Sequence, residues 1–329
     1  MSTDVVLGLD GGGTRTRAAV TDLDGHLLGV AERGGASIEF NDPRIARDNL
    51  RSAVRAAVSD ASHSIQDVVA FTAGIGGVGV PGAAEEAEQA FSIDGLQCEV
   101  RVVSDGVVAH IGAFCGGPGI VAICGTGSVV FGVTAEGEQI RNYDCVHHAR
   151  AGAHALGERA LHALLSGDAP TDWALADRLL NRWECESVAT LRNAVRDEDR
   201  FTNASSENPF DRVAPLITAA AADGDDFAEA ICGDAVEEVV TGIRIVGGYL
   251  DNPIDVAPAG SVLRSEYMTA ELRQQVEDIA GYQYVDPAMR PVAGAVFDAI
   301  DRTTEADDAV IERLTDHLGG HAEGRYAVR

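Results

Sequence analysis

A glycine-rich turn between two apolar strands constrains the fold of this chain more than any other feature. The apolar run 5–9 ends at Asp10, and three glycines and Thr14 follow. Residues 18–22 then return as a second apolar strand. A tight hairpin needs only one or two glycines, so three glycines beside a carboxylate and a hydroxyl favour a function. Glycine lets backbone N–H groups approach an anion closely, which makes this turn a candidate phosphate-binding loop.

Two other nucleotide-binding motifs do not match this turn. The P-loop pattern requires a lysine, and all 25 basic residues of the chain are arginine. The dinucleotide pattern requires a helix directly after the glycines, whereas this segment continues as a strand. A carboxylate is a poor direct partner for phosphate, so Asp10 makes sense if a Mg²⁺ ion lies between them.

The same arrangement recurs about 115 residues later. An apolar strand over 119–124 is followed by the turn Gly125-Thr126-Gly127-Ser128 and by a second strand over 129–133. Small and hydroxyl residues again follow a strand, which suits a second set of phosphate contacts. The recurrence predicts two similar half-molecules.

Apolar periodicity places further strands and helices along the chain and indicates an α/β protein. Strands are expected at 27–32, 68–73, 100–103, 256–257 and 283–286. Helices are expected at 42–59, 82–91, 106–113, 156–165, 174–182, 188–195, 211–223, 226–249, 265–278 and 291–300.

Asp105 follows the strand expected at 100–103, at the position where α/β proteins hold ligands. Its carboxylate could accept a proton from a substrate hydroxyl. Aspartate is also a common helix N-cap, and a helix is expected to begin here. The residue types alone leave both interpretations open.

The chain is strongly acidic, with a net charge of −27. Such a surface repels nucleic acid and anionic membranes. The acidic residues are spread along the chain, which favours adaptation to high salt over an acidic partner-binding role. Six cysteines without C-x-x-C spacing are interpreted as reduced thiols, and we expect no leader, no membrane span and a cytoplasmic location.

These motifs together resemble the N-acetylglucosamine kinase and BadF/BadG-type ATPase family of the sugar kinase/Hsp70/actin superfamily. Residues 10–16 are similar to the first phosphate motif of that family, and residues 125–128 to the second. Ser104-Asp105 stands where the kinases of the family place their catalytic aspartate. Residues 256–263, with Gly260-Ser261, resemble the adenosine motif, and residues 34–37 resemble a loop that reaches the sugar.

The resemblance implies two actin-like, ribonuclease H-like domains with an interdomain cleft. The N-terminal domain is expected to comprise residues 1–112 and 296–316, and the C-terminal domain residues 113–295. Residues 317–329 are expected to form a flexible tail. Members of the family suggest a homodimer, although no segment of this sequence marks an interface.

The resemblance also assigns roles to single residues, with ATP and Mg²⁺ as cofactors. Asp105 would deprotonate the acceptor hydroxyl, and Asp10 would hold Mg²⁺ through water. The phosphates and adenine of ATP would contact Gly11, Gly12, Gly13, Thr14, Arg15, Gly125, Thr126, Gly127, Ser128, Gly260 and Ser261. The sugar would contact Ser37, Gly76 and His148.

The acceptor end departs from the family pattern. Ser37 stands where sugar kinases usually carry asparagine, and residues 145–157 contain no carboxylate where those kinases have an Asp-Glu-Gly-Ser segment. The acceptor differs, or the histidines and arginine of this segment contact it, or catalysis has weakened. Those side chains (His147, His148, Arg150 and His154) suit an anionic acceptor or a surface loop that neutralises acidic neighbours.

The sequence therefore predicts a kinase that transfers phosphate from ATP to a hydroxyl of a sugar or amino sugar. One alternative is an ATPase that activates a partner enzyme, for which the cysteine spacing gives no support. Another is a catalytically weak sugar or nucleotide sensor.

Overall fold

The computed structural model describes residues 4–78, 92–197, 201 and 209–319 of the chain. These residues form two compact units, one within 1–121 and 286–329 and the other within 122–285. The division is by packing, and the domain boundaries inferred from the sequence stay a prediction. The helix expected at 82–91 lies outside the described residues.

The first unit contains a five-stranded sheet with the order β3-β2-β1-β4-β5. Its strands are β1 (Val5–Gly11), β2 (Arg15–Thr21), β3 (Leu27–Gly34), β4 (Val68–Ile75) and β5 (Val100–Ser104). The first three strands are antiparallel, whereas β4 and β5 run parallel to β1. The carboxyl ends of β1, β4 and β5 therefore lie at the same edge of the sheet.

Alternate residues of β1 point to opposite sides of the sheet, and both sides are covered by helices. Val5, Leu7 and Leu9 pack with α1 (Pro43–Asp60) on one face. Val6 packs on the other face with α9 (Pro291–Thr304). A Cβ atom on Gly8 would lie 2.5 Å from the backbone nitrogen of Val296, so glycine lets this helix contact the strand directly.

Helix boundaries in the first unit follow capping residues. Asp42 caps α1, and its carboxylate accepts from the N–H groups of Arg44 and Ile45. The helix α2 covers Asp105–Phe114, and α10 covers Asp308–Leu318 with Asp307 as its cap.

The second unit contains a sheet with the order β10-β9-β6-β7-β8. Its strands are β6 (Gly119–Cys124), β7 (Ser128–Val133), β8 (Gln139–Arg141), β9 (Ile254–Ala259) and β10 (Tyr282–Tyr284). Read in the opposite direction, the order is β8-β7-β6-β9-β10, which is the order of the first sheet with β6 in the place of β1. The repeated topology confirms the duplication that the two glycine turns indicate.

Six described helices complete the second unit. They are α3 (Ala153–Ser166), α4 (Ala176–Arg182), α5 (Val188–Asp197), α6 (Ala214–Ala222), α7 (Asp226–Gly247) and α8 (Glu266–Glu277). Trp173 and Trp183 are buried, and their indole N–H groups donate to Asp225 and to the Pro209 carbonyl. In the described part of the chain, no helix combines the length and the hydropathy that crossing a bilayer requires.

Candidate functional site

The first glycine turn connects β1 to β2 and is closed by a backbone hydrogen bond from Gly12 N to Arg15 O, at 2.9 Å. A Cβ atom on Gly12 would meet its nearest protein atom at 3.5 Å, an ordinary contact distance. The packing of the protein therefore leaves room for a side chain at this position. Protein packing alone therefore does not account for glycine at this position.

Asp10 lies next to this turn, opposite Arg17 on β2. Burial raises the pKa of Asp10 to about 6, the positive charge of Arg17 opposes the rise, and the negative charge of Asp105 adds to it. Arg17 is also paired with Glu32, with 2.9 Å between Nε and Oε2. Thr14 and Arg15 are exposed, and Arg15 Nε lies 3.8 Å from the other carboxylate oxygen of Glu32.

The loop of residues 35–41, between β3 and α1, is attached to the glycine turn. The N–H groups of Ala36 and Ser37 both donate to Gly12 O, at 3.0 and 3.2 Å. Ser37 is only 1% exposed. Its hydroxyl donates to Gly76 O at 3.1 Å and accepts from the N–H of Glu39 at 3.3 Å. Ser37, which the sequence predicts to contact the sugar, is therefore held beside the first turn by these hydrogen bonds.

Gly76 follows β4 and connects three of the predicted site residues. Its N–H donates to Gly11 O at 2.9 Å. A Cβ atom at this position would lie 3.1 Å from Ser37 Oγ and 3.3 Å from Asp105 Oδ2. The Ser37 hydroxyl and the Asp105 carboxylate thus converge on one point, where a Cβ atom would be crowded.

Asp105 is the first residue of α2, and the N-cap position belongs to Ser104. Its Oδ1 accepts from the N–H of Gly106 at 2.9 Å, which leaves Oδ2 directed at Gly76. Burial raises the pKa of Asp105, the Gly106 N–H opposes the rise, and the charge of Glu39 adds to it. A buried carboxylate with a raised pKa is a better proton acceptor than an exposed one. This geometry favours the proton-acceptor interpretation over the capping one.

The second glycine turn connects β6 to β7 and is closed by a hydrogen bond from Gly125 N to Gly127 O, at 3.0 Å. A Cβ atom on Gly125 would find no protein atom within 4 Å. The start of α3 covers the carbonyl groups of the turn: Ala153 N donates to Gly125 O at 2.8 Å, and His154 N to Thr126 O at 3.2 Å.

The Ser128 hydroxyl is used within the second unit. It donates to the carbonyl of Ala149 and accepts from the N–H of Ala151, the latter at 3.2 Å. The hydroxyl of Tyr143 donates to the Ser128 carbonyl. These contacts attach the segment before α3 to the turn.

The predicted adenosine motif lies beside the second turn. Gly260 has φ +83°, and a Cβ atom there would lie 2.3 Å from Cys124 O. The N–H groups of Val262 and Leu263 donate to the same carbonyl, at 3.0 and 3.3 Å. The structure therefore brings Gly260-Ser261 and the turn at 125–128 together, as the resemblance implies.

The histidines and arginine of residues 145–157 contact their own unit. His147 Nε2 lies 4.0 Å from a carboxylate oxygen of Glu238, and Arg150 is paired with Glu158. The rings of His148 and Tyr143 stack with their centroids 5.2 Å apart. His154 packs edge-on against Phe210. The Arg150–Glu158 ion pair favours the interpretation that this segment neutralises acidic neighbours.

Sequence reasoning missed two residues of the first unit that lie in the 35–41 loop. Glu39 raises the pKa of Asp105, and Asn41 donates from Nδ2 to Gly13 O at 3.0 Å. One sequence feature could have indicated them: both are polar residues in the loop that follows β3, a strand of the sheet that carries the glycine turn.

Comparison with known proteins decides the family. The family model described as the BadF/BadG/BcrA/BcrD ATPase family matches residues 7–299, which is most of the chain. The chain belongs to the BadF/BadG/BcrA/BcrD ATPase family. The resemblance inferred from the sequence is confirmed.

Relatives of this family member include sugar kinases. The chain is 22% identical over 287 residues to the N-acetylmuramic acid/N-acetylglucosamine kinase of Clostridium acetobutylicum, covering 82% of this chain and 89% of the relative. A candidate N-acetylglucosamine kinase from Chromobacterium violaceum has a similar structure, with TM-score 0.71 and 23% identity over 90% of this chain and 99% of that one.

A ROK family glucokinase from Streptomyces griseus, in complex with glucose and AMPPNP, also has a similar fold. The TM-score is 0.59 and the identity 18%, covering 90% of this chain and 98% of the glucokinase. Together with the two sheets, these similarities confirm the α/β class and the two actin-like domains.

Proposed function

We propose that this BadF/BadG-type protein is an ATP-dependent carbohydrate kinase that phosphorylates a hydroxyl of a sugar or amino sugar. The observation that carries the proposal is the convergence of Asp105 Oδ2 and Ser37 Oγ on Gly76, which is itself bonded to the first glycine turn. A proton acceptor and a phosphate-binding turn thereby meet at one edge of one sheet. Phosphoryl transfer asks a protein mainly for such positioning and for charge neutralisation.

We propose that each glycine turn binds phosphate groups of ATP. In the first unit the contacts come from Gly11, Gly12, Gly13, Thr14 and Arg15. In the second unit they come from Gly125, Thr126, Gly127 and Ser128, with Gly260 and Ser261 against the adenosine. The proposal is supported by Gly12 and Gly125, where the protein itself leaves space for a side chain.

Asp10 fits the role of a Mg²⁺ site. Its pKa is raised by burial and by the charge of Asp105, so a divalent cation nearby would relieve an unfavourable negative charge. Carboxylate oxygen is the donor that Mg²⁺ prefers. When bound, Mg²⁺ neutralises charge on the phosphates.

Asp105 accepts the proton of the attacking hydroxyl in this proposal, because its Oδ2 is directed at the point where Ser37 and Gly76 meet. Ser37 and Gly76 shape the acceptor site. His148, which is exposed and stacked on Tyr143, is proposed as a further acceptor contact.

The finer parts of the proposal concern the setting of the reaction. We propose a cytoplasmic protein that works at high salt without a nucleic-acid partner, supported by the net charge of −27. We also propose a homodimer, as the family resemblance suggests.

A coupled assay of ADP release tests the proposal. The acceptors would be glucose, glucosamine, N-acetylglucosamine and N-acetylmuramic acid, each with Mg-ATP in molar KCl. We expect one acceptor to raise ADP release well above the rate without sugar. An equal rate with and without every sugar would contradict the kinase assignment and favour a partner-activating ATPase.

A further inference from the structure

We propose that Asn41 is a positioning residue that couples nucleotide binding at the first glycine turn to acceptor binding at Ser37. The inference rests on the proposed function. Asn41 spans both places: its Nδ2 donates to Gly13 O at 3.0 Å, and its backbone N–H donates to Ser37 O at 3.1 Å.

The loop of residues 35–41 is attached to consecutive carbonyl groups of the turn. Ala36 N and Ser37 N donate to Gly12 O, and the Asn41 side chain donates to Gly13 O. The Ser37 hydroxyl continues the network to Gly76 O. Because these bonds join the turn and the loop into one block, a shift of the turn on binding phosphate is transmitted to Ser37.

The Asn41 side chain lies beside Gly35 and the glycine turn. Its Oδ1 would lie 2.8 Å from a Cβ atom on Gly35, and that atom would lie 1.9 Å from Gly13 O. Gly35 therefore provides the space that brings the loop onto the turn. Reversing the amide would place Oδ1 against Gly13 O, two acceptors facing each other, so the hydrogen bond assigns the orientation.

Starting α1 does not require the Asn41 side chain. Asp42 is the N-cap and accepts from the N–H groups of Arg44 and Ile45. Asn41 Oδ1 is buried and has no hydrogen-bond partner among the described residues. Within the described part of the chain, the bond to the turn is thus the one hydrogen bond of this side chain, and it is the contact that coupling needs.

Coupling through this block is reciprocal: a nucleotide that orders the turn raises the affinity for the acceptor, and the acceptor raises the affinity for the nucleotide by the same factor. Couplings of this kind are typically about 5- to 150-fold. The Asn41 bond is expected to carry a large part of that factor.

The test compares Asn41→Asp with Asn49→Asp. Both changes replace one amide by a carboxylate of the same shape. Asn49, on α1, donates to Gly35 O at 2.9 Å, so it contacts the same loop without contacting the turn. Calorimetry measures the affinity for N-acetylglucosamine, or for whichever sugar supports ADP release, with and without Mg-AMPPNP.

We expect AMPPNP to raise sugar affinity at least about 5-fold in the wild type and in Asn49→Asp, and less than about 2-fold in Asn41→Asp. No coupling in the wild type, or equal coupling in both variants, would overturn the inference. Asn41→Ala provides the same comparison if the aspartate variant does not fold, because it also removes the donor.

Failure of the proposed function has a different signature. If no sugar is phosphorylated or bound by the wild type, the affinity for Mg-AMPPNP alone is compared among the three proteins. The inference predicts weaker AMPPNP binding in Asn41→Asp than in Asn49→Asp, because only the first loses a bond to the turn. Equal AMPPNP affinities would overturn it, whatever the acceptor.

Discussion

The two glycine turns occupy the same place in two sheets of the same strand order, yet their surroundings differ. The first turn lies among carboxylates. Asp10 precedes it, the charge of Asp105 raises the pKa of Asp10, and the charge of Glu39 raises the pKa of Asp105. The second turn follows Cys124, and backbone N–H groups at the start of α3 occupy its carbonyls. Duplicated topology therefore supplies two candidate phosphate loops, whereas the proposed proton acceptor and the carboxylates near it lie in the first unit.

Near both turns, some glycines have space for a side chain and others do not. Gly12 and Gly125 leave room for a side chain, whereas Gly35 and Gly152, which lie outside the turns, are required by packing. A Cβ atom on Gly35 would lie 1.9 Å from Gly13 O, and one on Gly152 would lie 2.5 Å from Gly127 O. In each unit, a glycine between the third strand and the first described helix allows the chain to contact the turn.

The largest expected effect is that of Asp105→Asn, which removes the proton acceptor without changing the shape of the side chain. We expect kcat to fall by about 10²- to 10⁴-fold. The affinity for Mg-AMPPNP, measured by calorimetry, should change less than about 3-fold. Full activity in this variant would show that the carboxylate is not the base.

Next in size are Gly12→Ala and Gly125→Ala. Each should raise the KM for ATP by about 10-fold, roughly 1.4 kcal/mol, with the melting temperature nearly unchanged. Gly152→Ala is the matched control: its Cβ atom must displace the turn, so it should lower the free energy of unfolding by about 1–3 kcal/mol. A large loss of stability in Gly12→Ala would show that packing, rather than a ligand, requires that glycine.

A smaller effect concerns pH and Asp10, whose pKa is about 6 in the folded protein and near 3.8 when unperturbed. The folded state holds this proton more tightly, so the stabilising contribution is complete below pH 3.8 and is lost as the pH rises through about 6. Urea unfolding between pH 5 and 8 should show this loss in the wild type and not in Asp10→Asn. The same protonation should weaken Mg-AMPPNP binding below pH 6, with no such pH dependence in Asp10→Asn.

The smallest effect is expected for Ser128→Ala in the second turn. Its hydroxyl bonds to Ala149 and Ala151 within the unit, so its loss should cost about 1 kcal/mol of unfolding free energy. The KM for ATP should rise less than in Gly125→Ala. An unchanged KM would show that the proposed contact of Ser128 with the nucleotide does not involve its hydroxyl.

The sequence predicted the elements whose signals are local. The strands on either side of both turns and the helix that begins beside Asp105 follow from apolar runs. Not predicted was α10, although Val310, Leu314 and Leu318 recur every fourth residue after the cap Asp307. That signal is short, and the helix is fixed by packing on the first sheet.

The sequence could predict those parts of the site that depend on the type of a residue and not on its distant contacts. Asp105 carried two open interpretations: the structure assigns the N-cap position to Ser104 and directs Asp105 Oδ2 at Gly76, and the role of Asp105 as a base stays a prediction. The contribution of Asn41 was not predictable, because it depends on a contact with Gly13, 28 residues away. Contacts between distant loops leave no periodic pattern in a sequence.

The most direct test of the central claim is the stoichiometry of the reaction. Wild-type protein would be incubated with Mg-ATP and the acceptor that gives the fastest ADP release, and mass spectrometry would quantify ADP and sugar phosphate. We predict one sugar phosphate for each ADP, with both products lost in Asp105→Asn. ADP without sugar phosphate would contradict the account, because it would identify an ATPase rather than a sugar kinase.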